Sequence, residues 1–178
     1  LSLSIAQRLA LLHGLSSFAG TAAADLAAEA EFERYAAHLC AGGEEQGIRS
    51  IVVAPQGIVR HVYPPRDEAE RGYAPLQDPR PEIRADIQRA IDSREIVVSA
   101  PQPSSPGKMI LVAHQAVYTP DVVGGGETYW GLVQMVLDLP PLLAEAGLTP
   151  EGNGLEFALR DSSGRVFHGS PTTFDQDP

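Results

Sequence analysis

Apolar residues recur every three or four positions over residues 5–15 and again over 32–39, which is the spacing of one face of an α-helix. Gly14 and Gly20 weaken the middle of this segment. The pattern therefore predicts one long helix or two in succession, with the break near Gly20. A glycine pair at 42–43 ends the second helix, because glycine readily adopts the left-handed conformation of a helix terminus.

Two short runs rich in β-branched residues come next. Residues 48–53 and 58–63 are separated by a Pro-Gln-Gly sequence at 55–57, and the second run stops at a pair of prolines. Two such runs around a turn of proline and glycine predict a β-hairpin. The polar residues Arg60 and His61 within the second run are expected on the outer face or the edge of the sheet.

The segment 66–80 is rich in charge and proline and predicts a loop with room for one helical turn. Residues 81–93 predict an amphipathic helix, since isoleucines recur in it every four positions. Pro81 suits the first helical position, where its missing N–H is not needed.

Strands dominate the rest of the chain. The predicted order is a strand at 94–101, a turn at 102–107, strands at 108–120 and 128–139 around a glycine-rich loop, a short helix at 140–148, and a last hairpin at 154–161 and 165–170. Strands without regular βαβ alternation predict an antiparallel sheet. The predicted fold class is α+β, with a long N-terminal helix or helix pair packed on the sheet and short helices covering it.

The composition excludes several classes of function but says little more about the fold. The 178 residues carry a formal net charge of −10 and 43% hydrophobic residues, so a folded domain is expected and a basic face for nucleic acid is not. The single cysteine, Cys40, excludes an internal disulfide and a cysteine-rich metal site. No apolar run reaches the roughly 20 residues that cross a bilayer. The chain begins with Leu1 in a helical pattern, so we expect a segment of a larger protein.

The sequence contains no recognisable catalytic or metal-binding motif. Its five histidines have no HxH, HxxxH or HExxH spacing. The glycines at 124–126 precede a strand and lack the lysine of a phosphate-binding loop, and no GxSxG marks a nucleophile. Cys40 is best interpreted as a small buried residue. We therefore predict no enzyme activity for this segment, no cofactor and no metal.

The strand at 108–120 carries polar groups on an apolar sheet. Alternation puts His114 and Tyr118 on one face and Gln115 on the other. An isolated polar side chain on such a strand is usually satisfied by a nearby backbone group. It also fits a ligand pocket, which is mostly apolar with a few converging polar groups. Both interpretations of His114 stay open on the sequence alone.

Several stretches, in their order, resemble CHASE domains, the ligand-sensing ectodomains of receptor histidine kinases and nucleotide cyclases. They are "AEFERYAAHL", "VVAPQGIVRHVYPP", "RGYAPLQDPRPEIRADIQRAIDSREIVVSAP", "AVYTP" and "YWGLVQMVLDLPPLLAEAGL". The resemblance covers about residues 29–170. Ala116 departs from the family, which often has proline there, and Ala100 interrupts its usual Ser-Pro. Because these departures lie around the expected pocket, the identity of the ligand is the least transferable feature.

The resemblance implies a PAS-like antiparallel sheet in the periplasmic or extracellular part of a membrane protein. Flanking transmembrane helices would lead to a cytoplasmic histidine kinase or GGDEF-type cyclase. One sensor domain is expected over 1–170, with a helical part at 1–41, a PAS-like core at 47–170 and a loose tail at 171–178. The implied partners are a small organic ligand and a second copy of the chain, bound through the N-terminal helix.

Candidate ligand contacts combine strand phasing with this resemblance. Ser99 and His114 match positions that face the pocket in the family. The full set is His114, Tyr118, Ser99, Gln102, Tyr63, Arg84 and Met135. The main alternative function is a ligand-free dimerisation or spacer module whose pocket is filled by side chains, and an enzyme ranks third.

Overall fold

The computed structural model describes residues 2–21, 29–41, 47–65, 71–105, 108–121, 124–148, 158–160, 164 and 166–168. The helices are α1 (Ser2–Thr21), α2 (Glu29–Leu39), α3 (Pro81–Ser93) and α4 (Leu139–Glu145), with a 3-10 turn at Pro75–Gln77. The strands are β1 (Ile48–Pro55), β2 (His61–Tyr63), β3 (Val97–Val98), β4 (Gln102–Ser105), β5 (Lys108–Pro120), β6 (Glu127–Asp138), β7 (Leu159–Arg160) and β8 (Val166–His168).

The N-terminal segment forms two helices, as one of the two predicted arrangements requires. The first helix ends at Thr21, directly after Gly20, and the second begins at Glu29. Phe18 of α1 stacks on Tyr35 of α2 with ring centroids 4.2 Å apart. This aromatic contact joins the two helices, both of which also pack on the sheet.

The main sheet is antiparallel, with the strand order β2-β1-β6-β5-β3 and β4 paired to the start of β5. The two longest strands, β5 and β6, lie side by side, and β1 pairs with the outer edge of β6. Val52, Gln134 and His114 are neighbours across β1, β6 and β5. The predicted α+β fold with a PAS-like antiparallel sheet and an N-terminal helix is confirmed.

One face of the sheet is packed by α1, α2 and α4. The buried side chains that meet there come from alternate strand positions and from the apolar sides of the helices: Leu12, Leu15, Phe32, Ile51, Val53, Ala113, Val133, Met135, Leu137 and Leu142. Their exposed fractions are 0 or 1%, so this face has the close packing of an ordinary core.

The opposite face is covered by α3 and the segment 71–80. Ile83 and Ile87 of α3 pack against Val52, Ala54 and Leu132 of the sheet. The helix therefore has the bounds and the apolar side that the isoleucine spacing predicts. Its cover is incomplete, because α3 lies over only part of the sheet and leaves a cavity beside it.

Three predictions need correction, one of a turn and two of strand length. The segment 102–107 is predicted as a turn, but Gln102–Ser105 forms β4 and pairs with β5. Pro103 is compatible with this strand because β4 lies at an edge, where a missing N–H breaks no ladder. The predicted strands at 58–63 and 94–101 are reduced to His61–Tyr63 and Val97–Val98. The predicted tail at 171–178 lies outside the described residues.

Candidate functional site

A cavity of about 390 Å³ lies between the sheet and its cover of α3 and the segment 71–80. Its floor is formed by apolar side chains of the central strands, among them Val52, Ile110, Val112 and Val136. This volume falls near the lower end of the roughly 300–1,000 Å³ typical of small-molecule sites. The cavity has therefore the size for a small organic molecule.

Polar side chains stand at both ends of this apolar floor. His114 and Gln134 are paired across β5 and β6 at one end. Gln102 of β4 is paired with Ile110 at the other. His114 and Ile110 are four positions apart, which corresponds to roughly 13 Å along β5. The cavity is thus an apolar trough with a polar group at each end.

His114 is buried, with 1% of its surface exposed. Its Nδ1 atom accepts a hydrogen bond from the Gln134 amide nitrogen at 2.7 Å. The ring proton then lies on Nε2, which is 2.8 Å from the Ser99 hydroxyl oxygen and donates to it. Burial lowers the pKa of His114 to about 4, since a low-dielectric environment disfavours the charged imidazolium. His114 is neutral at pH 7 and both of its nitrogens are engaged.

The Ser99–His114 pair resembles a nucleophile with its base, but it is not arranged for that chemistry. A catalytic base must accept the hydroxyl proton, whereas Nε2 already carries a proton when Gln134 donates to Nδ1. Ser99 is buried, with 4% of its surface exposed. Gln134 also lacks the negative charge with which a carboxylate stabilises imidazolium. The pair fixes the floor of the cavity rather than attacking a substrate.

Asp78 is the most strongly bonded side chain of the site. Its carboxylate is 3% exposed and accepts from the Tyr73 hydroxyl and from the Arg80 guanidinium through both Nε and NH2. The Arg80 backbone N–H donates to it as well, at 2.8 Å. Hydrogen bonding to Arg80 holds the pKa of Asp78 far below its usual range, so the carboxylate is ionised.

The cluster also fixes Arg80 at the mouth of the cavity. Its NH1 atom donates to the Gln102 side-chain oxygen at 2.9 Å, which joins the cover to β4. The guanidinium is 52% exposed. Burial and the hydrogen bond to Asp78 raise the pKa of Tyr73 to about 12. At pH 7 the cluster therefore contains one anion, one cation and a neutral phenol.

The structure brings together three of the predicted ligand contacts. His114 and Gln102 line the cavity, and Ser99 lies directly behind His114. Tyr118 is on the same face but farther along β5, where its hydroxyl donates to the Ile91 carbonyl at 2.7 Å. The guanidinium of Arg94 lies over the Tyr118 ring, 4.1 Å from its centroid, so this ring is already covered by protein groups.

The other three candidates do not line the cavity. Met135 and Tyr63 pack into the core on the α1 side, because both pair with Ile51, whose side chain points to that face. Arg84 donates to the backbone carbonyl of Asp78. It supports the cluster from behind rather than facing a ligand.

Sequence reasoning missed Asp78, Arg80, Tyr73 and Gln134. Gln134 was accessible to the same alternation that placed His114, since it lies two positions from Leu132 and Val136 on β6. Asp78 and Arg80 belong to a segment that looks like an ordinary charged loop. Only the spacing of an acid two residues before an arginine, directly ahead of a helix, hints at their pairing.

The described ranges hold neither a membrane-spanning helix nor a metal-binding cluster. They hold no helix long and apolar enough to span a membrane. They also hold no group of three or more His, Cys, Asp or Glu side chains placed to bind a metal ion.

Comparisons with known proteins identify a similar fold but no family to which the chain belongs. No family model matches the chain, and no curated protein matches its sequence. Among solved structures, the chain is similar to an extracellular ligand binding receptor from Desulfohalobium retbaense DSM5692, with a TM-score of 0.56 and 15% sequence identity. The match covers 94% of this chain and 32% of that one, so the chain spans about a third of the receptor's length. At this identity the likeness establishes a shared fold, and the CHASE resemblance stays a prediction.

Proposed function

We propose that this domain is a periplasmic or extracellular small-molecule sensor of a membrane-bound signalling receptor, one that passes ligand binding to a cytoplasmic histidine kinase or GGDEF-type cyclase. The observation that carries the proposal is the cavity of about 390 Å³ between the sheet and its cover. The fold shared with an extracellular ligand binding receptor favours the same class. The proposed output domain, a histidine kinase or a cyclase, is based on the resemblance of the sequence to CHASE domains.

The mechanism uses the two faces of the sheet. A ligand in the cavity contacts the floor strand β5 and the cover on the segment 71–93. The residue after His114, Gln115, points to the other face, where its amide nitrogen is 3.1 Å from Nδ1 of His13 on α1. A shift of β5 would thus reach α1 through neighbouring residues. The ligand changes the output only to the extent that it binds the two states with different affinity.

Transmission to a membrane helix is proposed to involve a homodimer formed through α1. This helix keeps Ala6, Ala10 and His13 exposed while Leu12 and Leu15 are fully buried against the sheet. Small exposed side chains allow a second helix to approach closely. Sedimentation velocity should show a dimer that Ala10→Arg converts to a monomer, and a monomeric wild-type protein at high concentration would contradict this part.

A ligand-free dimerisation or spacer module is the second candidate. One observation favours it: His114 forms bonds through both ring nitrogens without any ligand. In that case α1 would form the dimer interface, and the cavity would be a packing defect on the less tightly covered face.

A thermal-shift screen distinguishes the two candidates. The protein is screened against purines, amino acids and organic acids, in parallel with Val112→Phe, which places a ring in the cavity. Ala85→Phe, on the exposed outer side of α3, is the matched control. A sensor should show at least one stabilising compound whose effect is kept in Ala85→Phe and lost in Val112→Phe. Absence of any compound with this dependence would favour the spacer module.

A further inference from the structure

The polar groups of the cavity differ in whether they have bonding capacity left for a ligand. An ionised carboxylate offers about four lone-pair positions. Asp78 uses four, for the Tyr73 hydroxyl, the Arg80 backbone N–H and two guanidinium atoms of Arg80. A ligand ammonium group would have to displace one of these bonds. Asp78 is therefore a structural anion rather than a receptor for amines.

Arg80 and Gln102 present donors instead. A guanidinium has five N–H groups. Three of those of Arg80 bond Asp78 and Gln102. The guanidinium also lies within hydrogen-bond reach of the Tyr73 hydroxyl, so at least one N–H remains for a ligand. Gln102 uses its oxygen for Arg80, so its NH2 group is left over. Both side chains line the cavity. The Tyr73 hydroxyl at this end already donates to Asp78 and interacts with Arg80. The groups left for a ligand at this end are therefore mainly donors, and one of them belongs to a cation.

The far end of the trough is neutral. His114 is uncharged and engaged through both nitrogens, and Gln134 is an amide that is 7% exposed. Between the two ends the floor consists of Val112, Val136 and other aliphatic side chains. A second charge on a ligand would find no partner at this end. The body of the ligand has to be apolar or carry a single neutral polar group.

From this distribution we infer that the cavity takes a small monocarboxylic acid, whose carboxylate is bound by Arg80 and the Gln102 amide and whose apolar body lies on Val112 and Val136. Charge-assisted bonds from a guanidinium to a carboxylate are among the stronger ones. The net charge of −10 attracts cations at long range, so selectivity for an acid arises from the local donors. This inference rests on the proposed sensor function and specifies its ligand class.

The test uses three matched probes that differ only in the polar group: phenylacetate, phenylacetamide and phenethylamine. Binding of each to the whole domain is measured by isothermal titration at pH 7. Phenylacetate should bind at least tenfold more tightly than the amide, and the amine should not bind. Arg80→Gln should weaken phenylacetate binding at least tenfold. Arg89→Gln, which removes an exposed arginine from the outer side of α3, should leave it unchanged.

Because Arg80→Gln leaves the buried Asp78 carboxylate without its partner, two further variants accompany it. Asp78→Asn/Arg80→Gln removes both charges together, and Gln102→Leu removes the amide donor at the cavity edge. Each should fold and each should weaken phenylacetate binding. Unchanged binding in both overturns the assignment of the acid group to this end.

The remaining outcomes separate the ligand class from the sensor function. Tighter binding of the amine or the amide, abolished by Val112→Phe, overturns the acid preference and leaves a cavity-binding sensor intact. No binding by any of the three probes also overturns the acid preference. The sensor function itself is contradicted only by a broad screen that finds no compound dependent on the cavity.

Discussion

His114 shows at the residue scale how burial controls charge. Its imidazole titrates near pH 4 in the folded protein and near 6.5 in an unfolded chain. As the pH falls through this window, the unfolded state takes up a proton that the folded state does not, so the free energy of unfolding decreases. We expect a loss of roughly 2–3 kcal/mol between pH 7 and pH 4.5. Urea unfolding at both pH values measures it.

His114→Gln is the control for this pH dependence. It removes the titrating group and keeps a side chain that can bond Ser99 and Gln134. The decrease in the free energy of unfolding between pH 7 and pH 4.5 should therefore become small. The Asp78 carboxylate does not interfere with this comparison. Its lowered pKa means that the ionised group stabilises the fold above about pH 4, and this stabilisation is lost only at more acidic pH. An equal pH dependence in the variant and the wild type would contradict the role of His114.

At the scale of elements, the backbones of β6 and β1 approach so closely at Gly131 that no side chain fits between them. Gly131 of β6 pairs with Pro55, and a Cβ atom at this position would lie 2.4 Å from the Ala54 carbonyl oxygen and 2.9 Å from the Pro55 Cα. Backbone atoms cannot move aside as a flexible side chain can. Gly131→Ala should therefore lower the free energy of unfolding by about 2–3 kcal/mol, measured by urea unfolding.

Gly126, in the loop between β5 and β6, is the matched control. A Cβ atom at this glycine would meet nothing within 4 Å, so Gly126→Ala should change stability by no more than about 0.5 kcal/mol. Equal destabilisation by the two substitutions would show that the loss at Gly131 does not come from the contact between β6 and β1.

At the scale of the whole molecule, the two faces of the sheet differ in packing. Val112 points into the cavity, whereas its neighbour Ala113 is fully buried in the core under the helices. Ala113→Phe should lower the melting temperature strongly, since overpacking a filled core costs about 1–3 kcal/mol or more. Val112→Phe should change stability by less than about 1 kcal/mol, because the ring enters existing space. Differential scanning calorimetry compares the two, and a larger loss in Val112→Phe would mean that the cavity is not open.

Much of the architecture was predictable from the chain. The helix at 81–93 was predicted from its isoleucine spacing and its first proline, and the structure gives it the same bounds. The strand at 108–120 was also predicted with its final bounds, because thirteen residues of alternation leave little freedom in phase. Short elements were less predictable. The sequence predicts a turn at β4, since its proline and serines favour turns locally and only pairing with β5 makes them a strand.

The candidate site was predicted in part. Alternation along β5 places His114 on the cavity face, the CHASE resemblance adds Ser99, and strand phasing adds Gln102. Tyr63 and Met135 are predicted as ligand contacts, but the sequence does not show which face of the sheet each of them lies on. Both pair with Ile51, whose side chain lies on the face covered by the helices, and they therefore face away from the cavity.

By itself, the sequence determined the order and type of the long helices and strands and which side chains share a strand face, because these follow from periodicity within one segment. The tertiary structure alone decided the cavity, the ion pair of Asp78 with Arg80 and its connection to Gln102 on β4. Arg80 and Gln102 lie 22 positions apart, and the cavity depends on where α3 stops covering the sheet. Asp78 and Arg80 are only two positions apart, but the burial of the carboxylate that makes their pair strong depends on the packing of the cover. Local propensity contains no information on either, since distances between segments are set only when the two cores pack.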